Sequence, residues 1–418
     1  MAAYVPRTVD HTIQARLRTS SALVLAGPRA VGKTSTGRHH SASHVSLDTD
    51  MAARQLAQVS PARVFEGGVP RLLDEWQTVP DLWNEVRHEV DRRQSAGQFI
   101  LTGSATPADD AIRHTGTGRF SRLRLRPLAW WESGFSSSQV SIADVLAGGP
   151  VDAADPGVTL GDVAERVLAG GWPQAIQMST ADACGYAADY LDQMTRMDVT
   201  ALTGRRTDPT NVRRLVASLA RNTATEVSVA TLVRDTGGSE PSLARDTVNN
   251  YLDALRRAFL LDEQAAWAPR LRSSTRLRKA PKRHLADTSL TCAALRVTSP
   301  DRLMGDPHSF GFVFESVVHQ QLATAADQLR ASVEHYRDES GLECDAVVDL
   351  GNGTWSAWEV KLGHAFVEEA ARNLLALAAR VSDDAHGPPA NLIVVVPSGP
   401  SYRRKDGVSV VAASALAA

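Results

Sequence analysis

Residues 27–34 read Gly-Pro-Arg-Ala-Val-Gly-Lys-Thr, which fits the Gly-x4-Gly-Lys-Ser/Thr pattern of a phosphate-binding loop. Such a loop needs a buried strand ahead of it and a helix behind it. Ala22, Leu23, Val24, Leu25 and Ala26 supply the apolar run, and no proline interrupts the residues just after Thr34. Glycine lets the backbone close around phosphate oxygens so that its N–H groups face the anion. Lys33 is placed to reach β- and γ-phosphates, and Thr34 to hold Mg²⁺ through its hydroxyl. Gly27, Pro28, Arg29, Ala30, Val31, Gly32 and Ser35 complete the expected cradle for ATP. The fold class this implies is α/β.

A second acidic signal belongs to the same chemistry. Arg71, Leu72 and Leu73 make a short strand that ends in Asp74 and Glu75. Downstream of a phosphate loop, Asp74 completes a Mg²⁺ shell and Glu75 orients the attacking water; the same pair would also suit a helix N-terminus. Phe99, Ile100 and Leu101 lead into Thr102 and Ser104, two candidates for sensing the γ-phosphate. Gly118-Arg119 precedes an alternation of Arg122, Arg124 and Arg126 with leucines, the pattern of an edge strand with one arginine face. Arg119 is either an arginine finger, in cis or from a neighbouring subunit of a homo-oligomer, or a residue that keeps the edge soluble. Arg7 is placed near the base of a bound nucleotide.

These segments carry a resemblance. Gly27-Pro28-Arg29 with Gly32-Lys33-Thr34, Leu73-Asp74-Glu75-Trp76-Gln77 with Val79-Pro80-Asp81-Leu82, Leu101-Thr102-Gly103-Ser104, and Gly118-Arg119 before Arg126-Pro127-Leu128 resemble a family of prokaryotic AAA-type ATP-binding proteins whose C-terminal part has no defined function. The likeness runs through nearly the whole chain. It implies an ATPase domain of the additional-strand class, with Lys33, Thr34, Asp74 and Glu75 in the roles argued above.

Composition narrows the setting. With 45 basic and 47 acidic residues among 418, the net charge of −2 gives no global nucleic-acid signature. The odd, scattered cysteines Cys184, Cys292 and Cys344 fit neither a disulfide framework nor a zinc site. No charged-then-apolar leader follows Met1 and no apolar run approaches a membrane span, so a cytoplasmic protein without a membrane partner is expected. The five lysines, Lys33, Lys279, Lys282, Lys361 and Lys405, stand out in an arginine-rich chain. A lysine here points to chemistry that arginine does not replace.

Beyond the first module, residues 134–161 are rich in Ser, Gly, Ala and Asp and read as a linker. Gly170-Gly171-Trp172-Pro173 reads as a tight turn over a buried aromatic. Helical spacing resumes at Tyr186, and residues 229–233, a Gly turn at 236–238 and a longer helix capped by Ser242 suggest a tri-helical unit. Strands at 259–261 and 265–267 would form its wing, giving a winged helix. The start of its longer helix presents Arg245, Asp246, Asn249 and Asn250, a weak cationic surface for DNA. A denser cationic run follows in residues 270–283: Arg270, Arg272, Arg276, Arg278, Lys279, Lys282 and Arg283, with no acid. It is either a track for a DNA backbone or a solvated stripe.

At the C-terminal end, Cys344 to Leu350 and Thr354 to Leu362 flank Gly351-Asn352-Gly353 and predict a hairpin. Pairing Leu350 with Thr354 places Asp345 across from Glu359. Opposed carboxylates repel, so a divalent cation is expected to offset them. Glu359-x-Lys361 puts both side chains on one strand face, and Glu315 lies on a preceding helix. Asp345, Glu359, Lys361 and Glu315 look like a PD-(D/E)XK nuclease core, in which the acids hold Mg²⁺ and the lysine steadies the attacking water. Asp345 pairing with Lys361 or Arg337 as a surface salt bridge in an inert domain is the competing reading. The expected division is 1–133 P-loop ATPase, 134–185 linker and helical boundary, 186–284 helical winged-helix connector, and 285–418 restriction-endonuclease-like α/β domain. In that reading ATP and Mg²⁺ at the first domain control the last, which acts on DNA.

Overall fold

The computed structural model describes residues 4–103, 117–203, 207–237, 241–269, 279–381 and 387–418. Ser104, Gly238 and the cations Arg270, Arg272, Arg276 and Arg278 lie outside the described residues. Two compact units emerge: Met1–Arg126 with Arg257–Phe259, and Pro127–Arg256 with Leu260–Ala418.

In the first unit the chain runs α1 (Asp10–Thr19), β1 (Ala22–Ala26), α2 (Lys33–His39), β2 (Ser43–Ser46), α3 (Met51–Val59), α4 (Pro61–Val64), β3 (Arg71–Asp74), α5 (Leu82–Arg93), β4 (Phe99–Gly103) and β5 (Phe120–Arg124). The strands form one sheet in the order β2-β3-β4-β1-β5, every pair parallel. Period-two alternation decides which residues face which layer. Leu23, Leu25, Leu72 and Ile100 pack with Ile13 of α1 on one face. Val24, Leu73, Phe99 and Leu101 pack with Leu82, Trp83 and Val86 of α5 on the other. Trp83 also stacks on Phe120 with ring centroids 4.2 Å apart. Strands buried on both faces in this way are near-continuously apolar, which is why β1 and β4 read so clearly. β5 is the expected edge, with Ser121 and Leu123 buried and Arg122 exposed.

The second unit contains β6 (Val140–Ser141), α6 (Ile142–Leu146), α7 (Leu160–Ala169), α8 (Thr180–Gln193), a π-helical turn at Met194–Asp198, α9 (Val199–Thr203), α10 (Pro209–Arg221), α11 (Val229–Asp235), α12 (Arg245–Arg257), β7 (Leu261–Gln264) and β8 (Lys282–Leu285). It continues with α13 (Thr288–Ala294), α14 (Pro300–Met304), α15 (Pro307–Leu329), β9 (Ser332–Arg337), β10 (Glu343–Asp349), β11 (Trp355–Val360), α16 (Val367–Arg380), β12 (Asn391–Val396), β13 (Tyr402–Arg403), β14 (Ser409–Ala412) and β15 (Leu416–Ala417). Its main sheet has the order β13-β14-β12-β11-β10-β9. β9, β10 and β11 form an antiparallel meander, and β11, β12 and β14 run parallel. α15 covers one face through Phe314, Val317 and Val318, and α16 covers the other through Val367, Ala370, Leu374 and Leu377.

The structure corrects two expectations. The segment read as a linker is part of this core: Val140, Ile142, Val145, Leu146 and Val151 are buried with Phe314 and Trp358. β6 even pairs with β15, Val140 opposite Leu416. Its few apolar residues are diluted by Gly and Ser in sequence but fall on one side once α6 and α7 form. The wing is also different, because β7 pairs with β8, Leu261 opposite Leu285. Residues 265–267 instead join β9, where the Trp267 N–H donates to the His335 carbonyl at 2.6 Å. The expected turn over Trp172 is present: Trp172 is fully buried, its Nε1 donates to Ser289 Oγ at 3.1 Å, and the Gly171 N–H donates to Asp287 at 2.8 Å.

Candidate functional site

β1 delivers the loop at its C-terminal end. Gly27 has φ 155°, and a Cβ there would lie 2.4 Å from the Leu125 carbonyl oxygen, so only glycine fits. Gly32 is left-handed at φ 98° and turns the chain into α2. The buried Lys33 folds back over the loop, its Nζ donating to the carbonyls of Gly27 at 3.0 Å and Pro28 at 2.7 Å. Pro28 and Val31 are buried, while Arg29, Ala30 and Ser35 are exposed. Arg7 braces the loop: its guanidinium donates to the carbonyls of Val31 at 3.0 Å and Arg126 at 2.6 Å, tying it to the end of β5.

The acidic pair comes to the same end of the sheet. β3 stops at Asp74, and although β4 separates β3 from β1, the Thr34 hydroxyl donates to Asp74 Oδ1 at 2.9 Å. Thr102, at the end of β4, donates to the same oxygen at 2.5 Å. A hydroxyl and a buried carboxylate this close are a hard-oxygen donor set suited to Mg²⁺. Glu75 follows in the left-handed region at φ 54°, a strained conformation for a glutamate. Burial pushes its carboxyl above the usual value, against the opposing effects of the Gln77 hydrogen bond and Lys33. Gln77 Nε2 holds Glu75 Oε2 directly. Sequence reasoning assigned Gln77 no role; its position two residues after Glu75 was the available signal.

Arg119 is not brought to this end. Phe120 lies opposite Ala22 and Arg124 opposite Ala26, so Arg119 sits at the start of the strand whose far end abuts the loop. At about 3.3 Å per residue that is roughly 17 Å away. Its Nε donates instead to Asp91 of α5 at 2.6 Å. A finger acting in cis is therefore corrected to a surface ion pair.

The second unit gathers the other expected residues. β10 and β11 pair in the predicted register, Asp349 opposite Trp355 and Ala346 opposite Trp358. Asp345 lies one step beyond the last of these pairs, and its Oδ2 accepts from the Val360 N–H at 2.8 Å. Lys361 Nζ donates to Glu359 Oε2 at 2.8 Å and lies 3.9 Å from Asp345 Oδ2. Glu315 of α15 joins them through a residue read as part of a cationic stripe and as one of the chain's five lysines. Lys282 of β8 reaches Glu315 Oε1 at 2.5 Å and Asp345 Oδ1 at 3.3 Å. The rarity of lysine in the chain had marked it, but not its acidic partners.

Electrostatics follow from this packing. Burial, with Asp345 nearby, pushes the Glu315 carboxyl up to about 8. Burial and Asp345 likewise push Glu359 up to about 8. Burial would also raise Asp345, but Lys282, Lys361 and the Val360 N–H hold it below its ordinary value. Burial alone would lower the Lys282 ammonium, yet Glu315 and Asp345 keep it above the usual lysine range. Mg²⁺ binds oxygen at about 2.0–2.1 Å. An ammonium wedged between Glu315 and Asp345 takes that space, so the cluster as arranged does not fit the expected metal.

The parallel sheet and its loop define the first unit as a P-loop nucleotide-binding domain. Family comparison agrees, since residues 19–133 match the AAA domain. The chain thus carries an AAA-type P-loop domain and is an ATPase. Residues 160–301 and 310–416 match two families described only as domains of unknown function, DUF8612 and DUF4143. Two uncharacterized proteins, from Mycobacterium bovis and Mycobacterium tuberculosis, are each 26% identical over 350 residues, 82% of this chain and 71% of theirs. Among solved structures, a Walker-type ATPase of Pyrococcus abyssi aligns loosely, with a TM-score of 0.43 and 12% identity over 70% of this chain and 96% of that one. Among the described residues, no helix is long and apolar enough to cross a membrane.

Proposed function

We propose that this chain is a Mg²⁺-dependent ATPase whose nucleotide state controls the C-terminal domain, which acts on DNA. The hydrolytic half of this reading rests on the convergence of Thr34, Thr102 and Asp74, with Oδ1 of Asp74 accepting from both hydroxyls. Bound Mg²⁺ would supply charge neutralisation at the β- and γ-phosphates. Lys33 exchanges its loop carbonyls for phosphate oxygens, and Thr34 and Asp74 are the residues that hold the metal. Glu75 Oε1 and Oε2 orient the attacking water, with Gln77 fixing the carboxylate's direction.

The output half rests on topology and on the buried cluster. α15, the β9-β10-β11 meander, α16 and β12 follow one another in the order of a PD-(D/E)XK core, with Glu315 on the helix, Asp345 on β10 and Glu359 on β11. α10, α11 and α12 followed by the β7-β8 hairpin support the winged-helix reading of the connector. Arg245, Asp246, Asn249 and Asn250 are exposed at the start of α12. A second reading is a nucleotide-controlled regulatory or interaction protein with an inert nuclease-like domain. It is favoured by the Lys282 ammonium, which stands between Glu315 and Asp345 where a cleaving metal would be held.

Incubation of the full chain with DNA and Mg²⁺ or Mn²⁺, with and without ATP, separates the two. The first reading expects ATP-stimulated cleavage that Lys361→Ala removes. Absence of cleavage under every condition leaves the second.

A further inference from the structure

We propose that Arg7 is a positioning residue for ATP: its guanidinium, aimed by Asp10, holds the peptide between Val31 and Gly32 in the orientation in which the loop takes phosphate. The inference rests on ATP binding at residues 27–34 and adds a residue that the loop pattern does not contain.

The loop has a shape that must be held. Ala30 and Gly32 have positive φ values of 59° and 98°, on either side of Val31. Alternation of this kind turns successive N–H groups to one side and makes an anion-binding concavity. Glycine enters the left-handed region freely, whereas alanine does so at a cost. The conformation at Ala30 is therefore not the backbone's own preference, and contacts from elsewhere must supply it.

Arg7 supplies them. It is buried, and its Nη1 donates to the Val31 carbonyl at 3.0 Å while its Nη2 donates to the Arg126 carbonyl at 2.6 Å. In a planar trans peptide the carbonyl and the following N–H point in opposite directions. Fixing the Val31 carbonyl on the guanidinium therefore turns the Gly32 N–H away from it, as a phosphate cradle requires. The second bond anchors the fork just past β5, where the Leu125 N–H already donates to the Ala26 carbonyl at 2.7 Å. Strand end and loop are thus tied by two separate links.

The guanidinium is itself aimed. Asp10, the first residue of α1, accepts from the Arg7 N–H through Oδ2 at 2.8 Å and donates its own N–H to the Arg7 carbonyl at 3.0 Å. Its Oδ1 takes the Tyr4 hydroxyl at 2.6 Å and His40 Nε2 at 2.8 Å. The Tyr4 ring stacks on His39 with centroids 4.1 Å apart, and His39 and His40 lie at the C-terminal end of α2. One segment, residues 4–10, grips the loop through Arg7 and the far end of the loop's own helix through Asp10. Arginine suits the position because one planar fork spans carbonyls from two segments.

The test compares Arg7→Ala with wild type in the full chain with Mg²⁺, reading affinity for ATP, ADP and GTP by competition against a fluorescent ATP analogue. ATP and ADP are expected to weaken alike, by about tenfold or more. The preference between ATP and GTP should stay unchanged, and millimolar guanidinium should restore part of the loss. If Arg7→Ala does not fold, Arg7→Lys, which keeps the charge and loses the fork, is expected to show the same pattern. A folded variant that binds ATP and ADP within about twofold of wild type would overturn the proposal. So would a loss for ATP that GTP does not share, which would make Arg7 a contact of the base. Lys33→Ala separates the two levels of the argument. If it binds ATP as wild type does, the loop is not the site; if it loses ATP and the Arg7 variants do not, only the role of Arg7 falls.

Discussion

Thr102 Oγ1 lies 2.5 Å from Asp74 Oδ1, the oxygen that also accepts from Thr34 at 2.9 Å. β4, inserted between β1 and β3, thereby places its last side chain against the acid of its neighbour. Thr102→Val keeps the shape and removes the donor. Because the carboxylate is buried, the loss should destabilise the folded chain by about 1–3 kcal/mol. It should also reduce ATP turnover more than ATP affinity. Urea unfolding together with separate kcat and KM values checks both; a variant of wild-type stability and turnover would remove Thr102 from the site.

Gly27→Ala should be far more damaging than its single methyl suggests. The added Cβ meets the Leu125 carbonyl oxygen at 2.4 Å, and φ 155° disfavours any L side chain. Overpacking against backbone costs about 1–3 kcal/mol, and the loop must shift to relieve it. Fluorescent ATP-analogue binding should weaken at least tenfold; binding at wild-type strength would show that the loop tolerates the shift.

Arg119→Ala should leave ATP hydrolysis within about twofold of wild type, because Arg119 pairs with Asp91 at the opposite end of β5 from the loop. An arginine finger contributes roughly 10³–10⁵ in turnover. A loss on that scale, restored by mixing with Lys33→Ala chains, would establish a role in trans.

Burial of His335 should cost the second unit stability as pH falls. His284 and His319 stack with centroids 4.1 Å apart, and His335 is fully buried. Burial, then the charges of Lys282, Lys279 and Arg337, depress His335 to about 4, against a backbone contact with Ala280 that acts the other way. Glu226 lies 3.6 Å from the ring, and Asp262 faces His319 at the same distance. A histidine held neutral in the fold binds its proton only when unfolded, so stability is full above the unfolded value near 6.5 and falls as pH drops toward 4. The loss from His335 amounts to about 3 kcal/mol at most. The raised Glu315 and Glu359 carboxyls act in the opposite direction over this range, so the check is the difference between variants. From pH 7 to pH 5 the urea stability of His335→Gln should change more favourably than that of the wild type, and an equal change would contradict the assignment.

What could be read beforehand was what local pattern dictates. The loop at 27–34 and the apolar runs of β1 and β4 follow from short-range rules, and so does the β10-β11 register, which a glycine-rich turn fixes. What could not be read depended on distant partners. Val140 to Leu146 looked like a linker because the surface that buries it includes residues more than 150 positions away. Arg119 looked adjacent to chemistry because sequence order does not reveal which end of a parallel strand faces the loop. Lys282 was grouped with its charged neighbours, since its partners Glu315 and Asp345 are supplied by α15 and β10.

Glu75 offers the most direct test of ATP hydrolysis at this loop, for it joins a strained backbone, a raised carboxyl and a held orientation to one proposed role. In Glu75→Gln the Lys33, Thr34 and Asp74 framework stays intact. ATP turnover and ATP affinity should be measured on the same purified full chain with saturating Mg²⁺. The expected result is wild-type affinity with turnover lowered by about 10²-fold or more. Turnover equal to wild type would contradict the role given to Glu75.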